Sequence, residues 1–128
     1  MNQNKDVIIG IVDDKPTIRN LLEEFFQQEG FTVYTADDGK KAITLVQEFN
    51  PHILLMDLRM PDMNGVEALQ EIKKIRPEQL VIMMTAYGEE DIVEQAIKLG
   101  ACDYISKPFD LYELAKVVDT TLNQTKVN

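Results

Sequence analysis

Acidic, hydroxyl and amine side chains follow four short apolar segments of this chain. The acids are Asp13, Asp14 and Asp57, the hydroxyl belongs to Thr85 and the amine to Lys107. Carboxylates held close together raise one another's pKa unless a cation lies among them. Oxygen ligands without histidine or thiolate favour a hard ion, and a partly open site suits Mg²⁺. The residue types therefore predict a Mg²⁺ site formed by the three aspartates.

Asp57 is the candidate reactive group. A carboxylate can accept a phosphoryl group and form an aspartyl phosphate. Such a transfer needs little beyond in-line placement and neutralisation of charge. Lys107 can pair with one phosphoryl oxygen, Thr85 can donate a hydrogen bond to another, and the small Ala86 leaves an approach open. We therefore expect Asp57 to be a phosphoryl acceptor and the other three residues to surround the transferred group.

The elements that position these side chains alternate regularly along the chain. Apolar runs typical of buried strands are separated by segments with the 3.6-residue period of a helix. The strands are predicted at 7–12, 31–35, 53–57, 81–85 and 103–106, with a helix after each. This alternation predicts an α/β fold, a (βα)5 doubly wound parallel five-stranded sheet with the order 2-1-3-4-5. The carboxyl ends of the first and third strands then lie side by side, which brings Asp13 and Asp14 next to Asp57.

Other polar and glycine residues of the pattern have ordinary structural interpretations. Asp38 and Asp110 are expected to cap the second and fifth helices, and Gly30 and Gly100 to end the first and fourth. His52 precedes the third strand at the end opposite the acids, so we expect a structural role for it. An aspartate after a strand is also most often a helix cap, and this is the structural alternative for Asp13 and Asp14 if the predicted site does not form.

Length and composition indicate one soluble domain. The chain has 128 residues, of which 45% are hydrophobic and 27% are charged, and this is enough for a single core. We expect one domain over 1–128, with its core at about 6–122, a polar tail at 123–128 and no output domain. The net charge of −9 argues against a nucleic acid partner, because phosphate binding depends on lysine and arginine.

The sequence lacks three features that are typical of membrane or secreted proteins. No apolar run approaches the roughly 20 residues that a membrane helix needs. The first residues lack the charged and apolar regions of a signal peptide. Cys102 is the only cysteine, which excludes an internal disulfide. We therefore expect a cytoplasmic protein with no membrane partner.

The motifs as a set resemble a known family. They are Val12-Asp13-Asp14, Met56-Asp57 followed by Met60-Pro61 and Gly65, Thr85-Ala86, and Lys107-Pro108. Together they resemble the receiver domain of bacterial two-component response regulators over essentially the whole chain. The resemblance implies a phosphoacceptor signalling protein rather than an enzyme, one that takes a phosphoryl group from the phosphohistidine of a sensor kinase.

The resemblance also assigns roles to individual residues. It implies Mg²⁺ binding through Asp13 or Asp14, Asp57 and the backbone carbonyl of Arg59, and a cis peptide before Pro108.

Partner docking and switching are further implications of the resemblance. Ile18, Leu21, Pro108 and Phe109 would form an apolar patch that contacts a histidine-bearing helical bundle, although the spacing of Ile18 and Leu21 equally predicts core residues. Tyr104 would be an aromatic switch coupled to the hydroxyl after the fourth strand, with a plain strand aromatic as the alternative.

Two signalling roles stay open within this family. The segments Thr85-Ala86-Tyr87-Gly88-Glu89 and Lys107-Pro108-Phe109-Asp110 are similar to the sporulation phosphorelay intermediate, which passes its phosphoryl group to a histidine phosphotransferase. Tyr104 occupies a position where that intermediate has histidine, and it matches the aromatic residue of chemotaxis-type regulators. A phosphorelay intermediate is therefore the first expectation, and a chemotaxis-like regulator that binds a protein target is the second.

Two other classes of protein share parts of the pattern. A phosphatase of the haloacid dehalogenase type also uses an aspartyl phosphate, but Arg59 stands where that class has its second aspartate. A flavodoxin-like cofactor binder has a related fold, but Asp13 and Asp14 would repel a flavin phosphate. Both alternatives are therefore disfavoured.

Overall fold

A computed structural model describes residues 6–126 of the chain. Residues 1–5 and 127–128, which belong to the predicted domain and to its predicted polar tail, lie outside the described residues. The strands are β1 (Ile8–Val12), β2 (Thr32–Ala36), β3 (Ile53–Asp57), β4 (Leu80–Thr85) and β5 (Asp103–Ser106). The helices are α1 (Pro16–Gln28), α2 (Gly39–Phe49), α3 (Gly65–Ile75), α4 (Glu90–Lys98) and α5 (Leu111–Lys126). The predicted alternation of strands and helices is confirmed.

The strands form one parallel sheet with the predicted order β2-β1-β3-β4-β5. In the register of β1 with β3, Val12 lies opposite Met56. The next residues along the two strands are therefore neighbours, and these are Asp13 and Asp57. The predicted fold class is correct, and the sheet order places the two acids side by side at its carboxyl edge.

Alternate residues of the central strands enter two separate core layers. Ile9, Ile53 and Ile82 pack with α1 and α5 on one face, and Leu54 and Met83 pack with α2, α3 and α4 on the other. The side-chain period of two in a strand dictates this division. Both layers are made of buried aliphatic and methionine side chains, so the sheet is a rigid support for the residues at its edge.

The predicted helix ends are confirmed. The Asp38 side chain accepts a hydrogen bond from the amide of Lys41, and the Asp110 side chain accepts one from the amide of Tyr112. Gly30 and Gly100 adopt positive φ angles of 98° and 112° after α1 and α4, a conformation that favours glycine. The two caps lie where helices begin, at the carboxyl edge of the sheet, and the two glycines lie where helices end, at the opposite edge.

The last helix is longer than expected. We predicted a polar tail after Leu122, but α5 continues to Lys126. Leu122 packs against the core, and the residues that follow it in α5, 123–126, are polar in the sequence. Within residues 6–126 no helix combines the length and the hydrophobicity needed to cross a membrane.

Candidate functional site

An ammonium group bridges two buried carboxylates at the carboxyl edge of the sheet. Lys107 Nζ lies 3.1 Å from Asp13 Oδ2 and 3.4 Å from Asp57 Oδ2. Side chains along a strand point alternately to the two faces of the sheet. Asp13, Asp57 and Lys107 lie on the same face as the residues of β1, β3 and β5 that pack against α1 and α5, so the three side chains come close together. The three predicted residues therefore come together at a nearly dry position, with Asp13 fully buried and Asp57 only 4% exposed.

Asp13 does not cap the helix that follows it. Helix α1 begins at Pro16 with Lys15 as its N-cap, and no side chain caps it. Asp13 Oδ1 instead accepts the amide of Lys15 at 2.9 Å, and the Asp13 carbonyl accepts Arg19 Nη1 at 2.9 Å. These bonds fold the loop back and turn the second oxygen of Asp13 toward Lys107. The helix-cap alternative is thus excluded for Asp13.

The three aspartates have the arrangement that a hard cation needs. Each offers a carboxylate oxygen, and these ligand atoms of Asp13, Asp14 and Asp57 all lie within 4.8 Å of one another. Asp14 Oδ1 is buried and has no hydrogen-bond partner in the part of the chain that the structure describes, and Asp57 Oδ2 has only its ion pair with Lys107 at 3.4 Å. Buried polar atoms are normally satisfied. An all-oxygen donor set with unsatisfied oxygens fits Mg²⁺.

The Asp57 carboxylate lies in an environment of opposing electrostatic effects. Burial raises its pKa above the ordinary value, Lys107 lowers it, and the nearby Asp13 carboxylate raises it again. The amide of Arg59 donates to Asp57 Oδ1 at 3.4 Å and lowers the pKa slightly. The net shift is upward, so the ionised form of Asp57 is disfavoured by folding when no cation is bound.

This upward shift predicts a pH-dependent stability difference for Asp57→Asn. A carboxyl group whose pKa is higher in the folded state stabilises the fold below its unfolded pKa, near 3.8, and this contribution is lost as the pH rises through the folded pKa. Without divalent cation, Asp57→Asn should therefore be more stable than the original protein at pH 7. The difference should shrink towards pH 4. Urea unfolding across this pH range measures it.

Asp62→Asn is the matched control for this pH series. Asp62 lies in the loop after β3, is exposed and has a positive φ of 69°, which asparagine tolerates. Its stability should follow that of the original protein at every pH. If Asp57→Asn is the less stable protein at pH 7, burial is not the dominant effect on this carboxylate.

The loop after β3 packs tightly against the backbone of Asp57. A Cβ atom at Gly65 would lie 2.5 Å from the Asp57 carbonyl oxygen and 2.9 Å from the Leu58 Cα, so only glycine fits there. The side chain of Asn64 caps α3 and forms a capping box with Glu67. Met60 of the same loop is buried in the core. This packing fixes the backbone beside the Asp57 carboxylate.

The hydroxyl of Thr85 makes no hydrogen bond with the carboxylates among the described residues. Thr85 is buried, and its Oγ1 donates to the Ile105 carbonyl at 3.4 Å or to Ser106 Oγ at 3.5 Å. Thr85 lies on the face of the sheet that packs against α2, α3 and α4, which is the face opposite the carboxylates. Ser106 is its register partner in β5. These long hydrogen bonds are weak.

Glu89 is a site residue that the sequence reasoning missed. It is only 3% exposed, and its carboxylate accepts the amide of Ala86 at 2.6 Å and pairs with Arg59 Nε. It therefore connects the loop after β4 with the loop after β3. An acidic residue just before a helix ordinarily indicates a cap or an exposed charge, so the sequence offers no signal for this contact.

The predicted switch residue lies beside an apolar groove. Tyr104 is 47% exposed on β5. A groove of about 730 Å³ between β5 and α4 is lined by Tyr104, Ala86, Val93, Ile97 and Lys107 among others. The structure thus places Tyr104 at the surface, on the same groove as two residues that adjoin the acidic site.

The predicted docking residues divide into two kinds. Ile18 and Phe109 are half-buried and pack against the core layer beneath α1 and α5. Leu21 is 50% exposed, and Pro108 is exposed. The Lys107–Pro108 peptide is cis, as the family resemblance implied. The predicted patch would therefore combine two half-buried side chains with two that are exposed.

Comparison with known proteins identifies relatives that match most of the chain. Residues 9–119 match the family described as the response regulator receiver domain. Sporulation initiation phosphotransferase F of Bacillus subtilis is 41% identical over 108 residues, which cover 84% of this chain and 87% of that protein. Chemotaxis protein CheY of Bacillus subtilis is 37% identical over 114 residues, which cover 88% of this chain and 95% of that protein.

Larger proteins and solved structures contain the same domain. Regulatory protein AtoC of Escherichia coli is 41% identical over 112 residues, and the chain spans only 24% of its length. The crystal structure of a response regulator receiver domain protein from Clostridium thermocellum matches with a TM-score of 0.89 and 29% identity, covering 94% of this chain and 98% of its own. The fold, the geometry of the site and the family match agree with one another. This chain belongs to the response regulator receiver domain family.

Proposed function

We propose that this chain is a receiver domain that accepts a phosphoryl group from a phosphohistidine onto Asp57 in a reaction that depends on Mg²⁺. The observation that carries the proposal is the buried Asp57 carboxylate, which lies beside the Lys107 ammonium and two further acids. Receiver domains bind Mg²⁺ at such an acidic cluster. In this chain Asp13, Asp14 and Asp57 would hold the ion, together with the Arg59 carbonyl, and the ion would neutralise phosphoryl charge.

The protein residues have separate parts in the transfer. An Asp57 oxygen forms a bond to phosphorus as the P–N bond of the phosphohistidine breaks, and the released imidazole takes up a proton. Lys107, already 3.4 Å from Asp57 Oδ2, is placed to pair with a phosphoryl oxygen. Thr85 and the Ala86 amide would bind other phosphoryl oxygens once the Thr85 hydroxyl leaves its weak hydrogen bonds to β5.

The signalling role that we propose is that of a phosphorelay intermediate in the cytoplasm. The similarity to a protein named sporulation initiation phosphotransferase F over most of both chains supports this role. The partners would be a sensor histidine kinase and a histidine phosphotransferase. The second candidate is a chemotaxis-like regulator that binds a protein target when phosphorylated, and the exposed Tyr104 beside the apolar groove favours it.

Chemical trapping of the modified residue tests the proposed acceptor. The protein is treated with phosphoramidate, a small phosphorus–nitrogen donor, in the presence of Mg²⁺. Borohydride then reduces the acyl phosphate to homoserine, and peptide mass spectrometry locates the change. We expect homoserine at position 57 and nowhere else. Modification of another carboxylate, with position 57 unchanged, would contradict the proposal.

The docking patch predicts a separation between recognition and chemistry. Leu21→Glu places a charge on the exposed part of the predicted patch and removes an apolar contact, and the loss of an energetically important interface residue costs more than about 1 kcal/mol. We expect phosphotransfer from a histidine kinase core to slow by about tenfold, while labelling by acetyl phosphate is unchanged. Time courses with the two donors measure this difference.

Ile75→Glu is the control for the docking test. Ile75 is also an exposed apolar residue, 43% accessible, but it ends α3 away from the patch. It should slow neither reaction. Equal rates for Leu21→Glu and the original protein with the kinase core would remove Leu21 from the docking surface and leave the acceptor proposal intact.

A further inference from the structure

Glu89 makes contacts that its position before α4 does not require. It is the N-cap residue of α4, yet its side chain makes no capping hydrogen bond to that helix. The buried carboxylate turns back instead, where Oε1 accepts the Ala86 amide at 2.6 Å and Oε2 pairs with Arg59 Nε. A carboxylate is this deeply buried only when partners compensate it. The two contacts are those partners.

Both partners of Glu89 adjoin the acceptor. The amide of Arg59 donates to Asp57 Oδ1, and its guanidinium reaches Glu89. Ala86 directly follows Thr85 at the end of β4, and the Thr85 carbonyl accepts the amide of Lys107 at 2.6 Å. The Glu89 carboxylate thus binds the Ala86 amide and the Arg59 guanidinium, which both lie at the edge of the pocket where the phosphoryl group would be bound.

We propose that Glu89 is a positioning residue that holds the Ala86 amide and the Arg59 guanidinium while Asp57 is unmodified and releases them when Asp57 is phosphorylated. The inference rests on the proposed function. A phosphoryl group on Asp57 carries negative charge and several acceptor oxygens, so it competes with the Glu89 carboxylate for these donors. Glu89 thereby sets the balance between two positions of the loop after β4.

The backbone next to Glu89 allows it to move. Gly88 has a φ of 89°, and a Cβ atom there would meet nothing within 4 Å, so the loop is open to solvent on that side. Helix α4 begins without a side-chain cap, which leaves its first turn less restrained than that of α3. Tyr87 is almost fully exposed and offers no packing that would oppose the movement.

The test compares the affinity for beryllofluoride, a phosphoryl analogue, in Glu89→Gln and in Glu90→Gln. Glutamine keeps the shape of Glu89 but removes the charge that holds Arg59. Glu90 is an exposed acid at the next position, so it controls for the loss of one charge near α4. With Mg²⁺ present, we expect Glu89→Gln to bind beryllofluoride about tenfold more tightly, since a hydrogen bond to a charged group no longer competes. Glu90→Gln should bind like the original protein.

Two further measurements separate release of the donors from a change in folding. The NMR signal of the Ala86 amide proton should move on beryllofluoride binding in the original protein, and in unliganded Glu89→Gln it should already be shifted toward the bound position. The affinity gain should disappear in the Arg59→Gln background. The NMR spectrum would also show whether the substituted protein is folded.

The outcomes distinguish this inference from the proposed function. If the original protein binds beryllofluoride and Glu89→Gln binds it equally or more weakly, the positioning role of Glu89 is overturned and the acceptor proposal stands. If the original protein with Mg²⁺ does not bind beryllofluoride, the proposed function is overturned, and this inference with it.

Discussion

Replacing Lys107 with methionine is expected to lower the free energy of unfolding by about 3 kcal/mol in the absence of divalent cation. Methionine keeps most of the side-chain volume but removes the ammonium, which lies 3.1 Å from Asp13 and 3.4 Å from Asp57. Two buried carboxylates then lie side by side without a positive charge between them. Removing one partner of a buried ion pair lowers the free energy of unfolding strongly. Urea unfolding at pH 7 measures the loss.

Magnesium should restore much of the stability that Lys107→Met loses. A divalent ion bound by the aspartates supplies the missing positive charge, so the gain in unfolding free energy on adding Mg²⁺ should be larger in Lys107→Met than in the original protein. Lys41→Met is the control, because Lys41 pairs with Asp37 at 3.0 Å between exposed side chains. It should cost less than about 1 kcal/mol and be indifferent to Mg²⁺. Equal costs for the two variants would contradict the account of a buried charge cluster.

Asp13→Asn should weaken Mg²⁺ binding by about 100-fold or more. The substitution removes one negative charge from a buried site, and a charge interaction at about 4 Å in a partly shielded site amounts to a few kcal/mol. It also frees Lys107 from its closer partner, so the ammonium can pair more fully with Asp57 and oppose a cation. Both effects act in the same direction. Isothermal titration calorimetry with MgCl₂ gives the affinities.

Asp37→Asn is the control for the titration. Asp37 also follows a strand, but it pairs with Lys41 and lies outside the group of acids that could hold an ion. Its variant should bind Mg²⁺ within about twofold of the original protein, because an exposed charge outside the site is screened by solvent. An unchanged affinity in Asp13→Asn would show that the ion does not bind at this cluster.

The fold and the acidic cluster follow from signals that act over short stretches of sequence. Alternating apolar runs define the strands, and the doubly wound order then places Asp13 beside Asp57 without any knowledge of side-chain contacts. Lys107 joins them because the period of two along β5 carries it to the same face. The same period of two predicts that Thr85 lies on the other face, as the structure shows, and counting residues along β4 from Val81 suffices to find this.

The contacts of Glu89 depend on information that no local pattern contains. Its carboxylate meets a side chain 30 positions earlier in the chain, across two loops whose conformations are set by tertiary packing. The need for glycine at position 65 has the same origin, since the close approach to the Asp57 carbonyl exists only after α3 has packed on β3. The extra turn of α5 is a boundary effect, which sequence patterns locate least well.

The most direct test of the central claim is the intact mass of the protein after incubation with acetyl phosphate, with and without Mg²⁺, for the original protein and for Asp57→Asn. We expect a gain of one phosphoryl group in the original protein with Mg²⁺, and no gain when either the ion or the Asp57 carboxylate is missing. A phosphoryl gain that persists in Asp57→Asn, or its absence from an original protein shown to bind Mg²⁺, would contradict the claim that Asp57 is the acceptor.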